Sequence, residues 1–216
     1  MKIKSPFARG CEREIIGAFI ALLLSIFLAR TFPNFGTYLL AASAALIFAT
    51  FLVFFRDPER TPPEDTSLLV SPADGRVVMI KDVDDPHVGA ATRISVFLSL
   101  FDVHVNRSPL KAKVISTEHH DGKFNHAASA DASEVNERNA IVLESGSTRI
   151  VVRQIAGLVA RRIVCWMQPG DMLERGERLG LIKFGSRVDI LLPRQTQVLV
   201  KVGDVVRGGK TAIAKF

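Results

Sequence analysis

The chain has 216 residues, a net charge of +6 and 48% hydrophobic residues, enough for one domain of ordinary size plus an appendage. No block of lysines and arginines with interleaved aromatics occurs, which argues against nucleic acid as a partner. The only two cysteines, Cys11 and Cys165, form neither a disulfide framework nor a metal-binding pattern, which is consistent with a reducing compartment.

Two hydrophobic runs near the N-terminus predict a membrane-embedded helical hairpin. Residues 15–29 carry no charge, and residues 35–55 form a second uncharged run of 21 residues. The second run spans about 31 Å as a helix, close to the thickness of a bilayer core, whereas the first must recruit flanking residues or lie shallower in the membrane. The stretch RTFPN, residues 30–34, predicts the turn between them. Two buried core helices are the alternative, but a run of this length without charge is rare in soluble domains.

Basic residues are concentrated at the two outer ends of this hairpin: Lys2, Lys4, Arg9, Arg13, Arg56 and Arg60. The turn contains only Arg30. The positive-inside rule therefore predicts that both ends, and the domain that follows, lie on the cytoplasmic side of the cell (inner) membrane. A cleaved signal peptide fits less well, because the second hydrophobic run follows at once without a small-residue cleavage site.

The rest of the chain divides into a linker over residues 56–67, rich in proline and charge, and a domain over residues 68–216. Runs rich in valine and isoleucine predict strands at Arg76–Val83, Thr92–Phe101, Lys111–His120, Ala140–Glu144, Arg149–Ile155, Ser186–Leu192 and Gln197–Val202. Periodicity does not decide between helix and strand for Ala156–Met167. Residues 121–139 are small and polar, which predicts a long, functional surface loop.

An internal repeat favours a particular fold class. The pattern Gly-Asp-x4-Gly at Gly170–Gly176 recurs 33 residues later at Gly203–Gly209. Such turns, with glycine at positive φ, lead into short strands in compact β domains. We therefore predict an α+β protein, in which the N-terminal hydrophobic helical hairpin (residues 1–55) is followed by a mainly antiparallel β domain resembling a barrel-sandwich.

Three short stretches contain residues suited to catalysis: Asp74 in SPADG, His104 in FDVHVNRSP and Ser186 in FGSR. Each has an ordinary structural explanation, since aspartate often caps a turn and a lone histidine among apolar residues is often structural. Together they supply the acid, base and nucleophile of a proton relay. Ser186 lacks the Gly-x-Ser-x-Gly elbow of α/β hydrolases, because Val188 stands at the second glycine position.

The stretches SPADGRV, FLSLFDVHVNRSP, ASEVNERN, QIAGLVARRIVCW and GDMLERGERLGLIKFGSRVDILLP resemble the phosphatidylserine decarboxylase proenzymes in their short bacterial form. The resemblance covers most of residues 56–216, and GSRVD is its most specific part. It implies a precursor that cuts itself between Gly185 and Ser186. The products would be a β chain of residues 1–185 and an α chain of residues 186–216, with Ser186 converted into a pyruvoyl group.

The resemblance also implies roles for the three residues. Ser186 would attack the carbonyl carbon of Gly185, His104 would be the base and a candidate proton donor, and Asp74 would orient His104. The pyruvoyl group would bind the amine of phosphatidylserine as a Schiff base and withdraw electrons while carbon dioxide leaves, so that neither pyridoxal phosphate nor a metal is needed. Longer family members often have a second histidine where this chain has Phe101, and many have threonine where it has Arg187.

Other residues are weaker candidates. Arg107, Asn136 and Arg138 are suited to the phosphate and carboxylate of the substrate, although each has a structural alternative. His119, His120 and His126 lack a carboxylate or cysteine at the usual ligand spacing, so no metal site is predicted.

A non-enzymatic membrane-anchored adaptor or carrier module is the main alternative to the decarboxylase function. A membrane-tethered serine hydrolase is the third possible function. The sequence leaves homo-oligomerisation open.

Overall fold

A computed structural model describes residues 6–129, 131–158, 162–183 and 186–216. The chain forms two compact units, Met1–Pro58 and Glu59–Phe216. The boundary falls inside the predicted linker, so that residues 59–67 belong to the second unit.

The first unit is a pair of helices, α1 (Glu12–Thr31) and α2 (Phe35–Phe54). Asn34 starts α2 with a capping box, in which its side chain accepts a hydrogen bond from the Thr37 amide (3.1 Å) and its own amide donates to Thr37 Oγ1 (3.2 Å). Phe19 and Phe48 pack between the helices with ring centroids 5.5 Å apart. Both helices are long and apolar enough to cross a membrane. The two predicted N-terminal apolar helices are therefore confirmed, and their insertion into a membrane stays a prediction.

The second unit consists mainly of strands: β1 (Leu68–Val70), β2 (Gly75–Asp85), β3 (Gly89–Leu98), β4 (Val105–Arg107), β5 (Ala112–His120), β6 (Arg138–Ser145), β7 (Thr148–Ile155), β8 (Arg162–Cys165), β9 (Met172–Leu173), β10 (Arg178–Lys183), β11 (Ser186–Pro193), β12 (Gln197–Val198), β13 (Val205–Val206) and β14 (Ala212–Lys215). One short helix, α3 (Ala132–Val135), lies in the stretch predicted as a surface loop. All pairings between these strands are antiparallel, which confirms the predicted α+β class.

Two predicted elements take a definite form in the structure. The undecided stretch Ala156–Met167 contains strand β8, because this segment pairs with β10 from Lys183↔Arg162 to Gly180↔Cys165. The predicted strand Gln197–Val202 is reduced to the two residues of β12. It ends early because Lys201 and Asp204 form a turn, in which the Lys201 amide donates to the Asp204 carboxylate (2.9 Å).

The largest sheet has eight strands in the order β13-β2-β3-β11-β7-β6-β5-β9. Strand β11 lies in its interior and pairs with β3 from Ser186↔Leu98 to Pro193↔Ala91 and with β7 from Arg187↔Ile155 to Leu191↔Val151. Alternate side chains of a strand point to opposite faces. Val188, Ile190 and Leu192 accordingly join the main core, whereas Leu191 packs in a smaller cluster. Two three-stranded sheets, β1-β14-β12 and β4-β10-β8, complete the unit.

The sequence repeat corresponds to a structural repeat. Gly170 and Asp171 exchange two backbone hydrogen bonds with Val114 (2.9 and 2.8 Å), and Gly203 and Asp204 exchange the equivalent pair with Val77 (2.8 and 2.9 Å). The four repeat glycines have φ between 72° and 101°. The predicted positive φ at these positions is therefore confirmed.

A second repeat, which our sequence analysis missed, links the segment before β2 to the segment before β5. Ser71-Pro72 and Ser108-Pro109, 37 residues apart, form matching turns in which each serine hydroxyl donates to the carbonyl two residues later (2.7 Å in both). The two turns also bond to each other: Val70 N donates to Pro109 O (2.9 Å) and Arg107 N donates to Pro72 O (2.8 Å). This exchange fixes the SPADG turn against the segment that connects β4 to β5.

Gly75 is the glycine whose replacement we expect to be most disruptive. Its φ is +141°, and a Cβ atom there would lie 2.0 Å from the Phe97 carbonyl oxygen. We expect Gly75→Ala to lower the free energy of unfolding by at least about 3 kcal/mol. The control Gly89→Ala, with φ +79° and no atom within 4 Å, should cost about 1–2 kcal/mol. Guanidinium unfolding followed by Trp166, the only tryptophan, measures both, and equal losses would contradict the steric explanation.

Candidate active site

Ser186 is the first residue of the interior strand β11 and is fully buried opposite Leu98 of β3. Alternate residues of a strand face the same side, so the Ser186 side chain points toward the main core, as Val188 and Ile190 do. Within the part of the chain that the structure describes, Ser186 Oγ has no hydrogen-bond partner. A buried hydroxyl without a partner is costly and indicates a functional position. The predicted cleavage partner, Gly185, lies outside the described residues, as does Phe184.

Asp74 lies at the same end of the sheet as Ser186. It immediately precedes strand β2, whose Arg76 pairs with Phe97, next to Leu98 on β3. Since Leu98 pairs on its other side with Ser186, the start of β2, the end of β3 and the start of β11 are adjacent. The sheet register thus brings two of the three predicted catalytic residues to one end.

The carboxylate of Asp74 is held by two partners. Arg60 donates to both of its oxygens (2.6 and 2.8 Å), and the Gly208 amide donates to one of them (2.8 Å). Arg60 also donates to the Gly208 carbonyl (2.9 Å), so that the three residues form a closed network. Both charged side chains are largely buried, and such bidentate pairs are strong and geometrically specific.

His104 is buried in the segment between β3 and β4. Its Nδ1 lies 2.9 Å from the Asp102 carbonyl oxygen. A carbonyl only accepts hydrogen bonds, so Nδ1 carries a proton and the Nε2 of the neutral ring is a proton acceptor. Strand β4 pairs with β10 at Val105↔Leu181, which puts His104 beside the last residues of β10. In its neutral form the imidazole therefore presents Nε2 as the proton acceptor, the arrangement that a general base requires.

The described hydrogen bonds of Asp74 and His104 thus go to different partners. Arg60 and Gly208 hold the aspartate, and the Asp102 carbonyl orients the histidine ring. The orientation of His104 by Asp74 stays a prediction.

Three buried amide side chains near the site were missed by the sequence analysis. Gln154 donates to Asn106 (2.9 Å) and accepts from Asn139 (3.1 Å). Gln154 pairs across the sheet with Val188 of β11, so the chain of amides lies beside the strand that Ser186 begins. The sequence signal that could have revealed these amides is a polar residue, Gln154, at a position of β7 where an apolar core residue is expected.

Cys165 lies close to Asn139, and burial raises the pKa of its thiol.

On the opposite face of β11, Arg187 and Asp189 form a fully buried ion pair, with Arg187 Nε 3.0 Å from Asp189 Oδ1. Arg187 also donates to the carbonyls of Ala127 (3.1 Å) and Ser129 (2.8 Å) and to the hydroxyl of Ser133. The Ser133 hydroxyl donates to Asp189 (2.5 Å). The residue after Ser186 therefore anchors the segment around α3 to the interior strand.

The three weaker candidates occupy different places. Arg107 is buried and donates to the Gly176 carbonyl (3.0 Å). Asn136 is also buried, and its amide donates to the carbonyls of Asn125 (2.8 Å) and Ala156 (2.9 Å).

Arg138 lies on the Arg187 face of the sheet, where it lines a cavity of about 310 Å³ together with Arg153. Burial, and secondarily the charge of Arg153, lowers the pKa of Arg138. A substrate-binding role for Arg107, Asn136 and Arg138 stays a prediction.

Among the described residues, no group of three histidine, cysteine or carboxylate side chains is placed to hold a metal ion. His126 instead stacks on Phe97, with ring centroids 5.8 Å apart.

Comparison with known proteins identifies the family of this chain. The sequence profile of the family described as phosphatidylserine decarboxylase matches residues 47–214. The chain belongs to the phosphatidylserine decarboxylase family.

Similar proteins are named phosphatidylserine decarboxylase proenzyme. One from Trichlorobacter lovleyi is 48% identical over 177 residues, which cover 81% of each chain. One from Desulfotalea psychrophila is 46% identical over 199 residues, covering 86% of this chain and 93% of the relative. One from Pelobacter propionicus is 45% identical over 204 residues, covering 93% of each.

The buried ion pair gives a stability prediction. Asp189→Ala leaves Arg187 charged and uncompensated in the interior, so we expect it to lower the free energy of unfolding by about 3–5 kcal/mol. The control Glu144→Ala removes the exposed ion pair with Arg149 (2.8 Å) and should cost no more than about 1 kcal/mol. Trp166 fluorescence in a guanidinium titration of the uncleaved Ser186→Ala chain measures both changes. A loss for Asp189→Ala as small as that of the control would contradict a stabilising role of the buried Arg187–Asp189 ion pair.

Proposed function

We propose that this chain is the precursor of an enzyme that decarboxylates phosphatidylserine to phosphatidylethanolamine and carbon dioxide. Membership of the phosphatidylserine decarboxylase family supports the reaction. The structural observation that carries the proposal is the buried hydroxyl of Ser186, without a hydrogen-bond partner among the described residues, at the start of an interior strand. A structural serine would gain by pairing this hydroxyl, whereas a nucleophile must keep it available.

Self-cleavage begins in this proposal when Ser186 Oγ attacks the carbonyl carbon of Gly185 and His104 takes the hydroxyl proton. The carbon–nitrogen bond then breaks, the amine takes up a proton, and an ester joins Gly185 to Ser186. Loss of the Ser186 α-proton and cleavage of the Cβ–O bond release the Gly185 carboxylate and leave dehydroalanine. Water replaces its nitrogen, which departs as ammonia. His104 Nδ1, held by the Asp102 carbonyl (2.9 Å), keeps Nε2 free of a proton for the first step.

The resulting pyruvoyl group at position 186 supplies the electron-withdrawing carbonyl that decarboxylation of an amino acid headgroup requires. The residues around position 186 fit such a group, since Ser186 provides its carbon atoms and the amides of Asn106 and Gln154 lie nearby in the core. The β11 backbone, paired on both sides, would fix the orientation of the group. His104 is suited to return a proton to the substrate carbon after carbon dioxide leaves.

We also propose that the enzyme works at the cytoplasmic side of the cell membrane. The two apolar helices α1 and α2 support membrane association. The excess of basic residues outside the hairpin supports the orientation. A membrane anchor is suited to a phospholipid substrate, because it keeps the enzyme at the surface where the headgroup is exposed.

Purified protein should contain two chains, residues 1–185 and an α chain of residues 186–216 that begins with a pyruvoyl group. We expect them to co-purify, because β11 lies between β3 and β7, and to separate only in denaturant. Ser186→Ala should remain a single chain without decarboxylase activity. Intact mass measurement and a denaturing gel check both expectations. If folded wild-type protein stayed one chain, the precursor proposal would be wrong and the adaptor alternative would be favoured.

Replacement of His104 tests the proposed base. His104→Ala should slow self-cleavage by roughly 10²–10⁴-fold, as followed by a time course of newly synthesised precursor. Asp74→Ala should slow it similarly if the carboxylate supports the histidine. Arg60→Gln distinguishes support of His104 by Asp74 from a purely structural role of Asp74, because it keeps the Asp74 carboxylate but removes the arginine that binds it. We expect most of the cleavage rate to remain in this variant. Cleavage as slow in Arg60→Gln as in Asp74→Ala would mean that Asp74 acts by holding the SPADG turn.

A further inference from the structure

Large apolar side chains are exposed around the end of the sheet where Ser186 lies. Leu100 and Phe101 follow β3 and are 51% and 81% exposed, and Leu158 follows β7 and is 61% exposed. Strands β3 and β7 are the two neighbours of β11. Both leave the sheet at the same end, because Leu98 pairs with Ser186 and Ile155 with Arg187. The exposed residues therefore flank the start of β11 on both sides.

The turn that carries Leu100 and Phe101 is built to present them. The Ser99 amide and hydroxyl both donate to the Asp102 carboxylate (2.8 and 2.7 Å), and the Asp102 amide donates to the Ser99 carbonyl (3.0 Å). The polar groups are thus satisfied between the two ends of the turn, while the apolar residues occupy its tip. Exposed turn tips are usually polar, so an apolar tip indicates an interaction surface.

The substrate of the proposed reaction indicates what this surface meets. A phospholipid with two acyl chains stays in the bilayer while its headgroup reacts, and Ser186 is buried inside the protein. The surface next to Ser186 must then lie against the membrane. We propose that Leu100, Phe101 and Leu158, named here the apolar rim, insert into a bilayer that contains anionic phospholipid. This inference rests on the proposed function and adds a membrane contact of the catalytic unit to that of the hairpin.

Nearby charges are compatible with this partner. Arg162 is exposed at the start of β8, four residues after Leu158 in the sequence. Lys123 is also exposed, in a segment that bridges to Asn136 at this end of the sheet. Two exposed cations beside an apolar rim match the composition of an interface that carries negatively charged headgroups.

The first experiment separates membrane contact from chemistry. The full-length double variant Leu100→Ser/Phe101→Ser is assayed on phosphatidylserine in phosphatidylcholine vesicles and on dihexanoyl phosphatidylserine below its micelle concentration. We expect normal self-cleavage, activity on the soluble substrate within twofold of wild type, and activity on vesicles at limiting substrate reduced roughly tenfold or more. The control Met172→Ser changes a residue that is 66% exposed on β9, and should leave both activities unchanged.

The strand pairings place the control residue Met172 far from the apolar rim. Met172 pairs with Lys113, which pairs with Glu144 near the Ser145–Thr148 end of β6 and β7, opposite the Ser186 end. An equal loss on soluble and vesicle substrates would overturn the proposal and place the turn in the chemical step. No loss on either would also overturn it. Absence of self-cleavage and of soluble-substrate activity in the wild type would instead contradict the proposed function.

A second experiment measures insertion directly. In a Trp166→Phe background, Phe101→Trp and Met172→Trp each provide a single tryptophan. Vesicles containing brominated phospholipid should quench tryptophan at position 101 but not at position 172. Quenching at neither position would overturn the proposal. If tryptophan at position 101 is shielded from solvent but is not quenched by the brominated lipid, and the protein is a dimer in solution, the rim is an interface between copies of the chain.

Discussion

Strand β11 is the element on which the site depends. It pairs with β3 over its whole length and with β7 over most of it, and both of its faces are buried. An interior strand of this kind can move only if the sheet opens, so its first residue has a fixed position. The residue at that position is Ser186. A nucleophile on a loop would need other contacts to achieve the same precision.

The alternation of side chains along β11 separates two tasks. Ser186 faces the main core, together with Val188 and Ile190. Arg187 and Asp189 face the other side, where they hold the segment around α3 through its carbonyls and a serine hydroxyl. The serine that we propose as the nucleophile and a structural ion pair can thus be neighbours in sequence without sharing an environment. The ion pair is satisfied locally and leaves the Ser186 hydroxyl uncommitted.

Local patterns in the sequence were sufficient for much of the fold. The length of the uncharged runs predicted α1 and α2, and runs rich in valine and isoleucine predicted most strands of the large sheet. The glycines of the Gly-Asp-x4-Gly repeat predicted the positive φ values of its turns. These features depend on residues close together in the chain. The Arg60–Asp74 pair and the amides of Asn106 and Gln154 depend on contacts between distant segments. No local pattern specifies them. The sequence could nominate Asp74 and His104 as site residues, but not their hydrogen-bond partners.

The position of the last strands has a consequence for the timing of maturation during synthesis. Strand β14 lies between β1 and β12, and β13 pairs with β2, so the C-terminal residues complete sheets begun by the first residues of the catalytic unit. A nascent chain that has only just passed Ser186 lacks these strands and also lacks the rest of β11, which extends to Pro193. The pairing of β11 with β3 and β7 therefore forms only after residues 187–193 have been synthesised, and the sheets that contain β13 and β14 are completed last. The self-cleavage that we propose for Ser186 is thus a late event in the synthesis of the chain.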